Sequence, residues 1–188
     1  MMVLEQACRL TSDPATRFAA LTHDLGKGST PREIWPRHIG HEQRSVHAIH
    51  RICVRFPVPN RFKSLALLVA EYHTHCHRSF RLRSKTLLDT ISATDAFRRR
   101  ERFEQFLLAC EADFRGRLGF EDKPYLQADF LRDLFRAAAS VDAATLASGV
   151  VNGDELPLLI RQSRLVAIDQ AKNRWHEQLE TGSSTSTV

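Results

Sequence analysis

The chain has 188 residues, of which 43% are hydrophobic and 26% are charged, and this is the composition of an ordinary globular protein that can bury a core. It excludes collagen-like, coiled-coil and disordered chains. The longest charge-free stretch, residues 143–153, is far shorter than the roughly 18 apolar residues of a membrane span, and the first residues show no secretory signal. We therefore expect a soluble, cytoplasmic protein without a membrane partner.

The net charge of +5 is unevenly distributed along the chain. Residues 32–63 contain seven basic and two acidic residues, and residues 78–102 contain eight basic and three acidic residues, so each block carries +5 by itself. Such blocks favour a phosphate-rich partner such as RNA. A solvated helical face on an arginine-rich protein would give the same pattern, and the sequence leaves both interpretations open.

Apolar residues recur at helical spacing along most of the chain, which predicts an all-α fold. The first predicted helix begins near Met1; the second begins at Pro14 after the capping residue Asp13 and ends at Gly26. The remaining helices are predicted, in chain order, at about 46–56, at 60–77, from Ser84 through Asp95 into the following arginines, at 103–116, at 125–139, after Asp142, and at 157–179 beyond a turn at Asn152-Gly153.

Two further predictions concern domains and cysteines. The stretch 116–124 is the one candidate boundary, which divides the chain into a domain over 1–115, a helical extension over 116–180 and a disordered polar tail over 181–188. The four cysteines lack the CxxC spacing of zinc sites, so we expect them to be small buried hydrophobic residues rather than metal ligands.

The fragment HDLGK at residues 23–27 combines a metal-binding nitrogen, a carboxylate, a helix-stopping glycine and a cation. Because adjacent helical residues point about 100° apart, His23 and Asp24 can share an ion only if another helix supplies further ligands. Asp95 continues a core-facing helical pattern, and a carboxylate on such a face must be paired or bind a metal. An ion pair between Asp95 and an arginine is the alternative interpretation.

The HDLGK fragment, together with His41 and Asp95, resembles the HD-domain metal-dependent phosphohydrolases. The resemblance implies an all-α HD-domain helical bundle with additional C-terminal helices. It also implies that His23, Asp24 and Asp95 bind a divalent ion, with Mg, Ni and Mn as candidates, which activates water and polarises a phosphoryl oxygen. A further histidine is usual ahead of the HD pair in this family; none precedes His23 here, so weaker metal binding is expected.

The same resemblance gives Lys27 and His41 catalytic roles. Lys27 would meet the substrate phosphate, and His41 would act as a phosphate ligand or proton donor. Each residue also has a structural interpretation. Lys27 could compensate the dipole at a helix C-terminus, and His41 could cap a helix start.

Three side chains are predicted to bind substrate, namely His73, Arg99 and Arg102. His73 follows a core run and is expected to point toward the site, with a second metal pair formed by His73 and His77 as the alternative. His75 and His77 are expected to be solvated. Arg99 and Arg102 belong to an arginine run on the predicted helix, where at most two of the four arginines can face one ligand.

A second resemblance rests on four segments, namely HDLGKGSTPREIWPRHIGHE, AEYHTHCHR, LLDTISATDAFRRRERFEQFLLACEADFRGRLGFE and ELPLLIRQSRLVAIDQAK. From Met1 to about Leu179 the chain is similar to the C-terminal half of the bacterial multifunctional CCA proteins, a family of tRNA nucleotidyltransferases that carry an HD domain. This resemblance implies phosphatase, 2'-nucleotidase and 2',3'-cyclic phosphodiesterase activity, with tRNA or nucleotide phosphates as partners, and it is compatible with a homo-oligomer. No DxD signature of a nucleotidyltransferase head occurs, so we expect no CCA addition by this chain alone. A non-catalytic tRNA-binding tail is the alternative.

Overall fold

The structure, a computed structural model, describes residues 2–148 and 154–184, and within these ranges it is all-α, as predicted. Its helices are α1 (Met2–Leu10), α2 (Pro14–Thr22), α3 (His41–Arg55), α4 (Asn60–His77), α5 (Ser84–Ala93), α6 (Arg100–Arg115), α7 (Leu126–Ala139), α8 (Ala143–Ser148) and α9 (Leu156–Ser184). Short 3₁₀ turns lie at Leu25–Ser29, Arg32–Ile34 and Ser79–Arg81.

The start of α2 agrees with the prediction, but its end does not. The Asp13 side chain accepts a hydrogen bond from the Thr16 backbone N–H at 2.9 Å, and Pro14 is the first helical residue. The helix ends at Thr22, and a 3₁₀ turn follows from Leu25. His23 and Asp24 therefore lie just after the helix and not within its last turn.

The predicted continuous helix from Ser84 into the arginines is wrong. Helix α5 ends at Ala93, and Asp95 has φ +60°, a left-handed conformation that aspartate tolerates better than most residues because its short side chain can hydrogen-bond locally. Helix α6 begins only at Arg100, so Arg98 and Arg99 lie in the connecting segment. Asp95 therefore does not continue the apolar face of α5.

The C-terminal prediction is wrong in part. Helix α9 continues through Ser184, so residues 181–184 are helical and not a disordered tail. Residues 185–188 and the predicted turn at Asn152-Gly153 lie outside the described residues. The boundary proposed near residue 116 stays a prediction.

One cluster of buried apolar side chains runs through α2, α4 and α6 and on into α5, α7 and α9. Phe103 and Phe106 of α6 are fully buried on one side of residue 116, and Phe130 of α7 is fully buried on the other. Of the cysteines, only Cys8 is exposed, so the expectation of burial is wrong for that residue. None of the described helices combines the length and apolar character needed to cross a membrane.

Helices α2, α4 and α6 pack against one another and run in the same direction. Their N-terminal ends meet through an ion pair between Asp13 and Arg61 and through a hydrogen bond from Gln105 to Asp13. Their C-terminal ends meet where His23, at the end of α2, lies 3.4 Å from Asp113 of α6. Because backbone carbonyls give a helix C-terminus a partial negative charge, three such ends together favour a bound cation.

Candidate metal centre

Three histidines from three different elements converge at the C-terminal ends of these helices. His23 follows α2, His41 is the first residue of α3, and His73 lies near the end of α4. The rings of His23 and His73 stand edge to face with centroids 4.8 Å apart, and those of His41 and His73 are 5.3 Å apart. The sequence predicted His23 and His41 at the site and His73 beside it, and the structure brings all three together.

The backbone fixes which ring nitrogen of each histidine faces the centre. The Nδ1 atoms contact backbone carbonyls at 2.8 Å for His23 with Ala20, at 2.9 Å for His41 with His38, and at 3.0 Å for His73 with Val69. A carbonyl oxygen can only accept a hydrogen bond, so this network assigns the proton of each neutral ring to Nδ1. Each Nε2 then presents a lone pair toward the centre.

Asp24 supplies the negative charge of the cluster. Its Oδ2 lies 3.2 Å from His23 Nε2, and its Oδ1 lies 3.3 Å from His41 Nε2 and 3.6 Å from His73 Nε2. The Nε2 atoms of His41 and His73 are 3.2 Å apart. Ligand atoms that share one ion at about 2.1 Å lie about 3–3.5 Å from each other, so these separations match a shared cation.

Two atoms of the cluster have no hydrogen-bond partner. His23 Nε2 and Asp24 Oδ1 are buried and unsatisfied in the structure. Buried polar atoms without partners are costly, and a cation would satisfy both. His23, Asp24 and His73 form a group whose ligand atoms all lie within 4.8 Å of one another. The donor set of imidazole nitrogens and a carboxylate therefore fits a divalent metal ion.

The charges in the cluster shift its pKa values strongly. Burial lowers the pKa of His23, but the nearby negative carboxylates of Asp113 and Asp24 outweigh burial and raise that pKa to about 10. Burial, together with the positive charge on His23, lowers the pKa of His73 to about 4. At neutral pH the ion-free cluster thus holds a proton on His23. A metal ion must displace that proton, because ligation uses the same Nε2 lone pair.

A second carboxylate, Asp113, extends the site and was missed by the sequence reasoning. Its Oδ1 lies 3.4 Å from His23 Nε2, and its Oδ2 accepts a hydrogen bond from His77 Nε2 at 2.7 Å. Burial raises the pKa of Asp113, but contacts with His23 and His77 outweigh burial and hold that pKa far below its usual range. The sequence carried a signal: Asp113 stands three residues after the buried Cys110, on the core face of α6.

Behind Asp113, His77 is held by a buried tyrosine. The Tyr125 hydroxyl lies 2.8 Å from His77 Nδ1 and donates to Cys76 Sγ at 3.3 Å, while Nε2 of the same His77 ring donates to Asp113. Burial and the neighbouring thiols of Cys76 and Cys110 raise the pKa of Tyr125, so its hydroxyl stays a donor. The expectation that His77 is solvated is therefore wrong, because its side chain is only 16% exposed and both ring nitrogens contact protein groups.

His75 and Glu42 complete the surroundings of the cluster. His75, which was also expected to be solvated, is half-buried and contacts Thr90 through Nδ1 at 3.0 Å. Glu42, which the sequence reasoning did not single out, accepts a hydrogen bond from Thr74 and lies 3.2 Å from His41 Nδ1. A carboxylate directly after His41 in the chain thus helps to fix its ring.

Lys27 lies at the edge of the cluster, with its ammonium 2.5 Å from Asp24 Oδ2. Its side chain is 42% exposed, so the charge remains accessible to an anionic substrate. Gly26 brings this segment against α3, because its N–H donates to Ser45 Oγ at 2.9 Å. A Cβ at residue 26 would lie 2.2 Å from the His41 carbonyl oxygen, so only glycine allows this approach.

Asp95, the third ligand expected from the sequence, lies elsewhere. Its carboxylate forms an ion pair with Arg99 at 2.7 Å, which is the alternative that the sequence left open. Arg99 and Arg102 line a cleft with Arg61 at the N-terminal ends of α4 and α6. Arg102 precedes Asp113 by eleven residues on one helix, a distance of about 16 Å. The expectation that Asp95 joins His23 and Asp24 is corrected, and the two arginines lie away from the cluster.

Comparisons with known proteins agree with this architecture. Residues 1–102 match the HD domain family. The chain is 50% identical over 175 residues to a multifunctional CCA protein of Thioalkalivibrio sulfidiphilus, 51% identical over 169 residues to that of Methylococcus capsulatus, and 50% identical over 171 residues to that of Nitrosococcus oceani.

These matches cover 93%, 89% and 91% of the chain but only 43%, 40% and 42% of the relatives, so the chain spans about two fifths of the length of the relatives it matches. No solved structure matches the chain. Since the family match covers more than half of its residues, the chain belongs to the HD-domain family.

Proposed function

We propose that the chain is a metal-dependent phosphohydrolase acting on nucleotide or RNA-end phosphates, with phosphatase, 2'-nucleotidase and 2',3'-cyclic phosphodiesterase activities. The convergence of three Nε2 atoms on Asp24, with each Nδ1 bound to a backbone carbonyl, is the observation that carries the proposal. His23, Asp24 and His73 would hold the ion, for which Mg, Ni and Mn are candidates, and Asp113 lies beside them. The bound ion would activate a water and polarise a phosphoryl oxygen.

The surrounding side chains have roles of their own in this proposal. Lys27 would bind a phosphate oxygen, because its ammonium is accessible beside Asp24. His41, whose Nδ1 proton is committed to the His38 carbonyl, would face the substrate with Nε2 and pass a proton through that atom to the leaving oxygen. Relatives named as CCA proteins, together with the basic blocks of the sequence, favour tRNA ends or nucleotides as substrates and therefore a cytoplasmic location.

The test compares two carboxylates that the sequence placed in one site and the structure separates. We expect Asp24→Asn to abolish hydrolysis of 2',3'-cyclic AMP and metal binding measured by calorimetry, because it removes a charged ligand and keeps the shape. Asp95→Asn should leave both unchanged, because that carboxylate pairs with Arg99. Full activity of Asp24→Asn with saturating metal would refute the proposal; loss in Asp95→Asn alone would restore the ligand set expected from the sequence.

A non-catalytic tRNA-binding tail is the second candidate function. It is favoured by the cleft that contains Arg61, Arg99 and Arg102, because three guanidinium groups there can bind an RNA backbone. This cleft lies about 16 Å from Asp113 along α6, so RNA binding there would not need the cluster of His23, Asp24 and His73. This function would be supported if the purified protein bound tRNA but hydrolysed neither phosphomonoesters nor 2',3'-cyclic phosphates.

A further inference from the structure

The loop between Lys27 and His41 exposes two large apolar side chains beside the metal centre. The Trp35 side chain is 58% exposed and that of Ile39 is 67% exposed. They line a cleft of about 470 Å³ with Glu33, Pro36 and Arg37. Apolar side chains of this size are expensive to leave in water, so a cluster of them in a short loop indicates a ligand surface.

Hydrogen bonds hold this loop in one conformation, so the exposure of Trp35 is a fixed feature of the fold. The indole Nε1 donates to the Thr30 carbonyl oxygen at 3.0 Å, which fixes the plane of the ring. The His38 ring contacts Thr30 Oγ1 at 2.9 Å, and Arg44 donates to that same oxygen and to the Ile39 carbonyl. An aromatic ring presented in a fixed orientation loses little conformational entropy when a flat ligand stacks on it.

The loop also lies next to the metal centre. The His38 carbonyl contacts His41 Nδ1 at 2.9 Å, and the Trp35 and His38 rings have centroids 6.4 Å apart. The exposed Arg37 lines the same cleft as Trp35, and the exposed Arg32 stands three residues before Trp35 in the chain. A flat aromatic surface with guanidinium groups alongside is the arrangement that binds a base by stacking and its phosphate by charge.

We propose that Trp35 is a stacking surface for a nucleobase of the substrate, with Arg37 beside it for a neighbouring phosphate. This inference rests on the proposed function, because the phosphate to be cleaved would lie at His23, Asp24 and His73. It names Trp35 as a specificity residue that makes the site prefer phosphate esters carrying a base over esters that lack one. Stacking tolerates any base, so no preference among the four bases is expected.

The test compares adenosine 5'-monophosphate with ribose 5-phosphate, which has the same sugar and phosphate and no base, in the presence of Mg²⁺. The chain has two tryptophans, so Trp175→Phe leaves Trp35 as the only indole fluorophore. We expect the nucleotide to quench this emission and ribose 5-phosphate to leave it unchanged. If Trp175→Phe fails to fold, because Trp175 packs on Phe80 and Phe130, the difference between wild-type and Trp35→Leu emission gives the same signal.

Calorimetry supplies the second readout. The wild type should bind the nucleotide about 5- to 150-fold more tightly than ribose 5-phosphate, which is the usual effect of stacking one base on an aromatic ring. Trp35→Leu should remove this preference and keep the affinity for ribose 5-phosphate, whereas Trp35→Phe should retain part of it. Phe56→Leu, which removes another exposed aromatic ring next to an arginine, should change neither affinity.

Equal binding of the two probes by the wild type, or an unchanged preference in Trp35→Leu, overturns the inference. A change of oligomeric state in Trp35→Leu without any base preference also overturns it and assigns the indole to a protein interface. Hydrolysis of glycerol 2-phosphate, which has no ring, is measured separately. Base preference without hydrolysis would leave the inference standing and refute the proposed function; hydrolysis without base preference would do the reverse.

Discussion

Gly26 is the position where one added methyl group should damage both the fold and the site. A Cβ there would lie 2.2 Å from the His41 carbonyl oxygen and 2.4 Å from the Ser45 backbone nitrogen, both at the start of α3. Ordinary contacts to a Cβ begin near 3.4 Å, so α3 or the 3₁₀ turn must retreat by about 1 Å. Backbone atoms inside a helix cannot rotate away, and the whole helix start must move with His41.

The size of the effect of Gly26→Ala follows from this displacement. Overpacking of this kind costs about 1–3 kcal/mol of unfolding free energy. In a chain of this length each kcal/mol lowers the midpoint of thermal unfolding by roughly 2–4 °C. A shift of His41 by about 1 Å should reduce turnover of 2',3'-cyclic AMP by about 100-fold, far more than the loss of stability explains at 25 °C.

Gly28→Ala is the matched control for this prediction. No heavy atom lies within 4 Å of a Cβ built at Gly28, and both glycines belong to the same 3₁₀ turn. Gly28→Ala should leave turnover unchanged and raise stability slightly, because alanine restricts the unfolded chain. Thermal melts and steady-state rates measured on both variants are the assay. If Gly26→Ala and Gly28→Ala behaved alike in both assays, the close approach of residue 26 to α3 would be wrong.

Three further predictions follow from the site. Tyr125→Phe should lower metal affinity about 10-fold or more in calorimetry, because groups that orient ligands through hydrogen bonds have effects of this size, whereas Tyr72→Phe should not. The metal affinity should rise about tenfold per pH unit between about pH 5 and pH 9, because binding displaces the proton that His23 holds below its pKa of about 10; calorimetry in two buffers counts that proton. Replacing Arg99 and Arg102 together by alanine should flatten the log–log salt dependence of RNA binding by about 1.4, at about 0.7 per phosphate contact, and leave hydrolysis of glycerol 2-phosphate unchanged.

Each of these predictions has a clear contrary outcome. Equal metal affinities of Tyr125→Phe and wild type would show that the buried tyrosine does not orient the site. Metal binding without proton release would mean that His23 is neutral or is not a ligand. A collapse of small-substrate turnover in the double arginine variant would place Arg99 or Arg102 at the candidate metal centre. An unchanged salt dependence of RNA binding would mean that the basic blocks are a solvated helical face.

Local signals in the sequence were sufficient to predict where the segments next to the candidate site begin or end. The Asp13-Pro14 pair predicted the start of α2, and the HDLGK fragment predicted that a helix would end beside a histidine and a carboxylate. The apolar run before His73 on α4 indicated that its ring would point inward, and the ring lies near those of His23 and His41. These features depend on capping and periodicity, which act within a few residues of the chain.

Periodicity alone could not tell whether Asp95 or Asp113 lies beside His23. Asp95 and Asp113 both continue an apolar helical pattern, and only one of them lies on a helix. Asp95 leaves the pattern because α5 ends at Ala93 and the chain turns with a positive φ, and its partner becomes Arg99. The contact between Asp113 and His23 depends on how α6 packs against α2, which is a tertiary fact with no local signature.

The part of the chain after residue 116 contributes to the hydrogen bonds around the candidate site as well as to the fold. Tyr125 precedes α7 and lies outside the residues that match the HD domain family, yet its hydroxyl fixes the ring of His77, which in turn holds Asp113. The same residue is 4% exposed within a core that continues across the predicted boundary. A metal ion bound at the ends of α2, α4 and α6 would therefore depend on a side chain from the C-terminal extension. The predicted division at residue 116 would separate Tyr125 from the His77–Asp113 pair, which lies beside His23.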